Sequence, residues 1–351
     1  MPDVVVVGGG PVGLAAALYA VRAGLSVTVL EPRAGVVDKA CGEGLMPGAV
    51  VALGKLGVDA PGRELRGIRY VGGGRQATAD FAAGLGRGVR RTTLHRALRE
   101  AAEAAGVEVV GRSATALVQD GGAVHVSTRE PGGAPGAGLT GRYVLAADGL
   151  HSPMRRALGV EVAAGGPQRY GQRRHYGIRP WSDHVEVHWA PHGEAYVTPV
   201  ADDLVGVAVL SARRAPFEEQ LEEFAGLRER LSAAQAATAV RGAGPLRQRA
   251  TRRVCGRVLL VGDASGYVDA LTGEGISLGL AQARAAVAAV RREQPESYER
   301  EWRRVTWRYA VLTGSIVQLT RAGWARRAIV PSAAAVPGLF RAAVAELGRV
   351  R

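Results

Sequence analysis

The chain has 351 residues, of which 47% are hydrophobic, so it can bury a large core and is too long for one simple domain. Its two cysteines, Cys41 and Cys255, are too few for a disulfide framework, and no charged leader precedes the first strand, so we expect a cytoplasmic protein. The net charge of +13 is concentrated in residues 301–351, which hold nine Arg and two Glu, so we expect no nucleic-acid partner.

The first motif is an all-valine strand, residues 4–7, followed by the sequence GGGPVG at residues 8–13 and an Ala-rich helix. This pattern predicts a dinucleotide-binding βαβ unit. Gly8 permits the tight turn, Gly10 lets a pyrophosphate approach the backbone, and Gly13 lets helix and strand pack closely. We expect the N–H groups at the start of the helix to hold the phosphates.

A carboxylate follows the second strand of this unit, residues 25–30. Glu31 stands where a carboxylate accepts hydrogen bonds from a ribose diol, which favours an unphosphorylated adenosine ribose. Arg33 either packs on the adenine or ribose or is a solvated surface residue.

Turn residues and hydrophobic periodicity predict the next elements. They are a short helix at 47–56, strands at 65–71 and 75–82 joined by a glycine turn at 72–74, a helix at 92–105, and strands at 108–110, 114–118 and 124–128. We expect the last three strands to form a small antiparallel layer.

Two further buried strands end in an Asp beside a glycine. Residues 144–147 lead into Asp148-Gly149, and residues 257–261 lead into Gly262-Asp263. The sequence GEGI at 273–276 then opens a long Ala/Leu helix. An Asp at a strand end beside a glycine-rich helix start suits the hydroxyls of a ribityl chain.

With these motifs in this order, residues 1–300 resemble the single-component flavoprotein monooxygenases of the para-hydroxybenzoate hydroxylase type and their relatives, the geranylgeranyl reductases. The resemblance implies an α/β fold, with a Rossmann-like FAD-binding domain, an interleaved antiparallel-sheet substrate domain and a C-terminal helical region. The expected bounds are 1–70, 88–160 and 250–295 for the FAD-binding domain, 71–87 and 161–249 for the substrate-binding sheet domain, and 296–351 for the C-terminal helices.

The resemblance also implies FAD as the cofactor and NAD(P)H as a transient reductant. Asp148-Gly149 matches the family motif that handles both, and Arg91, or its neighbour Arg90, matches an arginine that reaches the ribityl-phosphate side of the flavin. The residues expected at the cofactor are Gly8, Gly10, Pro11, Val12, Gly13, Glu31, Pro32, Arg33, Cys41, Gly42, Arg91, Ala114, Asp148, Gly149, Gly262, Asp263, Gly273, Gly275 and Ile276.

A glycine-rich segment, residues 38–46, follows the ribose-binding strand. Glycines on both sides of Glu43 indicate a loop where the backbone passes closely. The segment is similar to the Cys-Gly-Gly-Gly loop of the geranylgeranyl reductases, which passes beside the flavin, with Glu43 in place of the central glycine. Cys41 is either a redox thiol or a small residue tolerated in a tight loop.

Alternating residues between 168 and 210 predict an antiparallel sheet with one buried face and one face that floors a pocket. In the resembled family this sheet lines the substrate cavity. The candidate catalytic residues are therefore His175, Tyr176, His188 and Tyr196, since a phenol or enol benefits from a nearby base. The alternation leaves open which face points inward. We expect no metal ion, because the histidines of this region lack the HExxH order.

The C-terminal tail, residues 301–351, combines its arginines with Trp302, Trp307 and Trp324. It is either a helical cap on the flavin domain with an Arg-rich outer face or a surface that makes peripheral contact with an anionic membrane. No segment of the tail reaches the roughly 20 apolar residues that a membrane span requires.

Three hypotheses follow for the function. We favour an NAD(P)H-consuming monooxygenase that uses O2, through a flavin C4a-hydroperoxide, to hydroxylate a lipophilic aromatic or phenolic secondary metabolite. The second hypothesis is a geranylgeranyl reductase-like enzyme that reduces prenyl double bonds, and the third is a non-catalytic flavin-containing binding protein. Halogenase relatives are disfavoured, because their Trp-x-Trp-x-Ile-Pro motif is absent.

Overall fold

The strands that carry the glycine motifs lie side by side in one sheet of the computed structural model, which describes residues 1–163, 165–166 and 168–348. In chain order the strands are β1 (Val4–Val7), β2 (Val27–Leu30), β3 (Gly44–Leu45), β4 (Arg63–Leu65), β5 (Gly67–Gly72), β6 (Arg75–Asp80), β7 (Gly86–Gly88), β8 (Glu108–Val110), β9 (Ser113–Gln119), β10 (Val124–Arg129), β11 (Pro135–Gly141), β12 (Tyr143–Ala146), β13 (Glu161–Val162), β14 (Tyr170–Gly177), β15 (His184–Trp189), β16 (Gly193–Ala201), β17 (Leu204–Ser211), β18 (Gln235–Ala236), β19 (Arg241–Ala243), β20 (Arg249–Ala250), β21 (Val254–Cys255) and β22 (Val258–Leu260).

The helices, again in chain order, are α1 (Pro11–Arg22), α2 (Pro47–Lys55), α3 (Arg91–Ala104), α4 (Pro153–Ala157), α5 (Phe217–Leu221), α6 (Ala225–Leu231), α7 (Gly275–Arg291), α8 (Ser297–Leu319), α9 (Gly323–Ala335) and α10 (Pro337–Leu347). A 3₁₀ turn spans Gly262–Ser265. These elements confirm the expected α/β class with C-terminal helices.

The first sheet has the strand order β21-β22-β12-β1-β2-β8, and every pair is parallel except β21 with β22. Val4 and Val6 pack with α1, α3 and α7, whereas Val5 and Val7 pack with β10 and α4. Both faces are thus covered, which explains why β1 is apolar at every position. The carboxyl ends of β1, β12 and β22 meet at one edge, where such sheets bind ligands.

The small antiparallel layer differs from the prediction in one strand. Residues 108–110 pair in parallel with β2 at the edge of the first sheet, because they follow a helix that crosses back over that sheet. The layer consists of β9, β10 and β11 instead. β11 has the sequence PGAGLTG, whose glycines and proline hide it from a strand prediction.

The second sheet has the order β18-β14-β17-β16-β15-β5-β6, with β19 also beside β14, and is antiparallel except between β5 and β15. Tyr176 and Val207 lie on the face that packs against α5 and α6. Val187 and Leu210 lie on the opposite face, in a cluster with residues of α10. We call this second sheet the substrate sheet.

β5 and β6 form the expected hairpin, with Gly73 and Gly74 at its turn at φ values of +57° and +70°. Because β5 pairs with β15, the substrate sheet includes residues 67–72. The boundary expected between residues 70 and 71 therefore falls inside a strand, and the sheet begins earlier in the chain.

The tail forms helices that cover both parts of the molecule. α8 packs on α7, while α9 and α10 pack on β5 and β6. Arg326 is 8% exposed and donates to Glu194 Oε2 at 2.9 Å, so it holds α9 on the substrate sheet and is not part of an outer basic face. Residues 349–351, the end of the expected helical region, lie outside the described residues.

In the described ranges, no single helix has the length and hydropathy needed to cross a membrane, and the pair α9 and α10, bent by 102°, passes that test only when taken together.

Candidate cofactor and substrate site

A cavity of about 910 Å³ is lined by both sheets. One part, which we call the cofactor side, is lined by Gly8, Gly10, Pro11, Val12, Arg33, Lys39, Cys41, Gly42, Arg91, Asp148, Gly149, Gly262, Asp263, Gly273, Gly275 and Ile276. The other part, which we call the sheet side, is formed by strands β5, β15, β16 and β17 of the substrate sheet and is lined by Ile68, Tyr70, Val185, Val187, Tyr196, Ala208 and Leu210. Strands β14 and β19 add Tyr170, Gly171, Gln172, Gly242 and Ala243 to the lining of the cavity.

The turn between β1 and α1 has the geometry that its glycines predict. Gly8 has a φ of +103°, and a Cβ at Gly13 would lie 1.8 Å from the Gly8 carbonyl oxygen. A Cβ at Gly10 has space, since its nearest neighbour would be Arg91 Nη2 at 3.8 Å. The turn itself therefore requires Gly8 and Gly13, whereas Gly10 leaves room for a phosphate at the start of α1.

Three basic residues, Arg33, Lys39 and Arg91, line the cofactor side near this turn. Burial lowers the pKa of Lys39, and Arg33 and Arg91 lower it further by repulsion. The buried Nε of Arg91 has no hydrogen-bond partner among the described residues. Arg91, and not the alternative Arg90, lines the cavity. A bound anion would relieve this repulsion, so the cluster suits a diphosphate.

Glu31 supports the glycine turn from behind and does not line the cavity. Its Oε2 accepts from the Gly9 backbone N–H at 2.9 Å, and its two oxygens accept from the Arg33 guanidinium at 2.7 and 2.8 Å. Although burial opposes the charge, the hydrogen bonds from Arg33 keep the pKa of Glu31 below its usual value. The expected contact between Glu31 and a ribose stays a prediction.

Asp263 lies directly after β22, in the 3₁₀ turn. Its carboxylate lines the cavity and accepts no hydrogen bond from the described residues. Burial raises the pKa of this carboxyl group, while Arg91 and Lys39 act in the opposite direction. Gly273, with a φ of +68°, lines the same cavity just before α7. An open acceptor at this position suits the hydroxyls of a ribityl chain.

Asp148 lines the cavity and also caps α4. Its Oδ1 accepts from Ser152 Oγ at 2.6 Å, and its Oδ2 accepts from the Met154 backbone N–H at 3.0 Å. These bonds fix Gly149, whose φ of +86° turns the backbone along the cavity. The Asp-Gly pair therefore shapes the cavity wall by means of the backbone.

Four residues expected at the cofactor do not line the cavity: Gly13, Glu31, Pro32 and Ala114. Gly13 and Glu31 support the turn as described above, and Pro32 follows Glu31. The prediction that Ala114 contacts the cofactor is wrong. Ala114 lies on β9 and packs into the apolar cluster that holds Val5 and Val7, because the β9–β11 layer covers that face of the first sheet.

Of the four candidate catalytic residues, only Tyr196 lines the cavity, and its hydroxyl donates to the Leu271 carbonyl oxygen at 2.7 Å. Tyr176 is wrong as a pocket residue, because it lies on the face covered by α5 and α6. His188 is wrong for the same reason, since its strand partner Ala195 belongs to that face. His175 alternates with Tyr176 and lies on the cavity face, but Glu43 covers it.

The other histidines of the sheet do not converge. The side chains of His184, His188 and His192 bind three different carboxylates, those of Asp80, Glu186 and Glu223. The part of the chain that the structure describes contains no group of three or more His, Cys, Asp or Glu residues that can hold a metal ion.

Comparison with known proteins identifies the family. Residues 1–310 match the FAD binding domain family. The chain belongs to this family. It is 33% identical over 310 residues to the menaquinone reductase of Mycobacterium tuberculosis (strain H37Rv), covering 81% of this chain and 75% of the relative. It is 30% identical over 298 residues to digeranylgeranylglycerophospholipid reductase 1 of Methanopyrus kandleri, covering 79% of this chain and 77% of the relative.

Solved structures show the same fold. The p-nitrophenol 4-monooxygenase of Pseudomonas putida has a TM-score of 0.79 at 21% identity, covering 99% of this chain and 95% of the other. A flavin-dependent halogenase has a TM-score of 0.79 at 23% identity, covering 88% of this chain and 62% of the other. The protein is thus an FAD-dependent oxidoreductase by family.

FAD fits the cofactor side. The space beside Gly10 and the unpartnered Arg91 Nε match a diphosphate, and the open carboxylate of Asp263 matches a ribityl chain. We assign these contacts as the ones that would hold the cofactor. His95 strengthens the phosphate turn, because its Nε2 lies 2.9 Å from the Gly9 carbonyl oxygen.

Sequence reasoning missed Tyr70, which lies on the sheet side. Its hydroxyl makes no hydrogen bond within the described ranges, and burial raises its pKa to about 12. Its ring packs against Trp189 and Phe340 at centroid distances of 5.5 and 4.7 Å. The expected domain boundary assigned residue 70 to the FAD-binding domain, so its place in the substrate sheet was hidden. The alternation of Ile68 and Tyr70 was the available signal.

Tyr267 was missed as well. It lines the cavity between the 3₁₀ turn and α7, and burial raises its pKa well above the usual value. It falls in an irregular segment, where neither strand nor helix periodicity marks a side chain as facing a site.

Proposed function

We propose that this protein is an FAD-dependent reductase that adds hydrogen across a carbon–carbon double bond of a lipophilic, isoprenoid-like substrate. The observation that carries the proposal is the composition of the sheet side. His151 and Glu43 line other parts of the cavity, where His151 Nε2 lies 3.1 Å from the Gly244 carbonyl oxygen and Glu43 Oε2 lies 2.6 Å from His175 Nε2. Among the seven side chains that form the sheet side, the polar groups are the phenols of Tyr70 and Tyr196, and none is a histidine or a carboxylate. A base for deprotonating a phenol is therefore missing from this wall.

Reduction of a double bond requires a hydride at one carbon and a proton at the other. FAD, when bound and reduced by NAD(P)H, supplies the hydride. The chain must supply the proton, and Cys41 is the candidate donor, because it lines the cavity and burial raises its pKa, which keeps the thiol protonated. The resulting thiolate regains its proton from water before the next turnover.

The apolar wall of the sheet side supports a lipophilic substrate, because it offers hydrophobic contact and excludes water from the reacting carbons. Tyr70 and Tyr196 stay protonated at neutral pH, since burial raises the pKa of both. Tyr70 can donate to a carbonyl or hydroxyl oxygen of a substrate head group, whereas Tyr196 already donates to the Leu271 carbonyl oxygen and can only accept from a substrate hydroxyl. Both relatives named above are reductases, one of menaquinone and one of a digeranylgeranyl lipid, which supports the same reaction class.

The second candidate is hydroxylation of a lipophilic phenol, which the sequence motifs favoured. The observation in its favour is the hydroxyl of Tyr70, which has no hydrogen-bond partner among the described residues, stands in an apolar wall and can bind a phenolic oxygen. O2 would then be a co-substrate. In this case the cavity holds an aromatic ring against Val187 and Leu210 instead of an isoprenoid chain.

One experiment separates these functions. The FAD-bound protein is supplied with NAD(P)H and either a prenylated naphthoquinone or an alkylresorcinol, with and without O2, and the product mass and O2 uptake are measured. We expect a gain of two hydrogens on the prenylated compound without O2. A gain of one oxygen with matching O2 uptake would replace this proposal with the hydroxylase, and no turnover of either compound would leave a flavin-containing binding protein.

The two cysteines provide a matched pair for the proton donor. Cys41→Ala should slow turnover by about 100-fold or more while FAD stays bound, since removing a general acid costs 10²–10⁴-fold. Cys255→Ala is the control, because Cys255 lies on β21 and does not line the cavity. Equal turnover of the two variants would contradict the role of Cys41.

We also propose that the outer face of the C-terminal helices contacts anionic lipid. Trp324 is 75% exposed and Leu319 is 61% exposed, and both flank the turn between α8 and α9. Arg321 and Arg327, both exposed, lie beside them in the chain. Exposed tryptophan with arginine suits a membrane interface. Such contact would bring a lipophilic substrate to the enzyme.

A further inference from the structure

The cofactor loop, residues 38–46, follows β2 of the first sheet, yet several of its anchors come from the substrate sheet. The Arg173 guanidinium of β14 pairs with Asp38 and donates to the Lys39 carbonyl oxygen at 3.3 Å. Thr198 of β16 donates to the Gly42 carbonyl oxygen at 2.7 Å. The loop is thus attached to the part of the molecule that forms the sheet side of the cavity.

Glu43 is the central anchor. It is 4% exposed, its Oε1 accepts from the Arg91 backbone N–H at 2.7 Å, and its Oε2 lies 2.6 Å from His175 Nε2. It therefore joins the first turn of α3, the loop and β14 at one point.

The backbone at this position favours glycine. Glu43 has a φ of +60°, a region that costs a side-chain-bearing residue conformational energy and costs glycine none. A glutamate stands at this position despite the cost. Its carboxylate makes contacts with Arg91 and His175 that glycine cannot make. The opposite strand makes room for it, because a Cβ at Gly206 would lie 2.9 Å from Glu43 Oε2.

The direction of the hydrogen bond between His175 and Glu43 follows from the neighbours of His175. Arg173 Nη1, which can only donate, lies 3.0 Å from His175 Nδ1. His175 Nδ1 therefore accepts, and Nε2 carries the hydrogen that it donates to Glu43. Arg173 thus fixes the ring orientation in which His175 Nε2 donates to Glu43 Oε2.

The loop that this pair holds carries two residues of the cofactor side. Lys39 Nζ lies 3.5 Å from the position that a Cβ at Gly149 would occupy, and the Cys41 sulfur accepts from the Glu43 backbone N–H at 3.4 Å. A shift of Glu43 would displace both groups, because Cys41 and Lys39 precede it closely in the same loop. The charge of Lys39 and the position of the thiol would change together.

We propose that Glu43 is a positioning residue whose bond to His175 fixes the cofactor loop on the substrate sheet and thereby sets the places of Lys39 and Cys41 beside the flavin. The proposal rests on FAD binding in this cavity and not on which substrate is reduced or hydroxylated. It also means that the two sides of the cavity are coupled mechanically through one buried contact.

The test uses the FAD-bound protein without substrate and compares Glu43→Gly, Glu43→Gln and His175→Asn. The readouts are the flavin absorption spectrum, its midpoint potential against a reference dye, and the anaerobic rate of flavin reduction by NAD(P)H. We expect Glu43→Gly to shift the spectrum and the potential and to slow reduction by about 100-fold, since a misplacement of about 1 Å has that effect at a reacting centre. Glu43→Gln keeps one acceptor oxygen and should give a smaller change.

A buried pair of the same chemistry provides the control. Glu186 and His188 lie on the opposite face of the same sheet, with Nε2 and Oε2 3.1 Å apart, and neither lines the cavity. We expect Glu186→Gln to lower the thermal midpoint and to leave the three flavin readouts unchanged. If Glu43→Gly also changes stability alone, the proposal is wrong.

A double variant completes the test. Because Glu43 and His175 act as a unit, Glu43→Gly combined with His175→Asn should be no slower than the worse single variant, whereas additive effects would overturn the proposal. Should Glu43→Gly lose FAD, Glu43→Gln and His175→Asn decide the question by the same readouts. Failure of the proposed reductase activity would leave these measurements unaffected, so the two proposals fail separately.

Discussion

The two sides of the cavity differ in how their residues come together. On the cofactor side, Gly8 and Gly10 follow β1 and Asp263 follows β22, and these parallel strands, with β12 between them, bring the three residues to one edge of the sheet. On the sheet side, Tyr70 and Tyr196 come from strands more than a hundred residues apart, and α10 completes the wall. The comparison shows that a cofactor site can be built from short local motifs, whereas a substrate site depends on long-range register.

The largest expected effect is on the cofactor side. Gly10→Glu should abolish FAD retention, because a carboxylate would stand where the pyrophosphate sits and would pair with Arg91. The Cβ itself meets no backbone atom, so the fold should survive. The measurement is the FAD content of the purified protein, with circular dichroism as a check on folding.

Gly54→Glu is the matched control for this variant. Gly54 lies on α2, where a Cβ would have no neighbour within 4 Å, and the substitution adds the same charge away from the cavity. It should keep its FAD. Tight FAD binding by Gly10→Glu would mean that the phosphates lie elsewhere. The conclusion that the glycine motif after β1 forms the phosphate site would then be wrong.

The next effect concerns the cover of the sheet side. Arg326→Gln should lower the free energy of unfolding by roughly 1 to 3 kcal/mol, because Glu194 loses a charged hydrogen bond from Arg326 and keeps only its ion pair with Arg169. Arg327→Gln, on the exposed face of the same helix, should change it by at most about 0.5 kcal/mol. Urea unfolding of both variants measures the difference, and equal losses would show that α9 is not held by this pair.

The sequence predicts features whose residues lie close together in the chain, and it does not predict features that depend on contacts between distant parts of the chain. The βαβ unit, the Asp-Gly motif and Asp263 were predicted, because each depends on residues close in the chain. Arg326 and Arg327 look alike in the sequence, and only the packing of α9 on the sheet separates them.

The faces of the substrate sheet show the same limit. A period of two predicts that His175 and Tyr176 lie on opposite faces, but it does not say which face is covered by α5 and α6. His175 lies on the correct face but does not line the cavity, because Glu43 covers it. Glu43 comes from another part of the chain. The glycine-favouring position of that glutamate was visible in the sequence, while its partner was not.

A smaller effect tests the ribityl contact. Asp263→Ala should weaken FAD binding by roughly 1 to 3 kcal/mol, the cost of leaving buried hydroxyl groups without a partner. Fluorescence titration of the apoprotein with FAD measures the change. Asp148→Ala serves as the comparison, because Asp148 already accepts from Ser152 and Met154, so its loss should act on stability more than on affinity. Unchanged FAD affinity in Asp263→Ala would place the ribityl chain elsewhere.

The smallest effects are expected on the exposed face of the tail. Each arginine near an anionic surface adds about 1 kcal/mol of attraction, so the protein should sediment with vesicles of phosphatidylglycerol and phosphatidylcholine but not with phosphatidylcholine alone. Binding should fall as salt shortens the range of these interactions. It should fall further in Trp324→Ser and in Arg321→Gln with Arg327→Gln, which alter exposed residues only.

The control pair, Val118→Ser with Arg129→Gln on the β9–β11 layer, removes comparable exposed groups and should bind as the wild type does. If the protein ignores anionic vesicles at low salt, the tail serves only to cover the sheet side, and a lipophilic substrate must reach the cavity without help from a membrane surface.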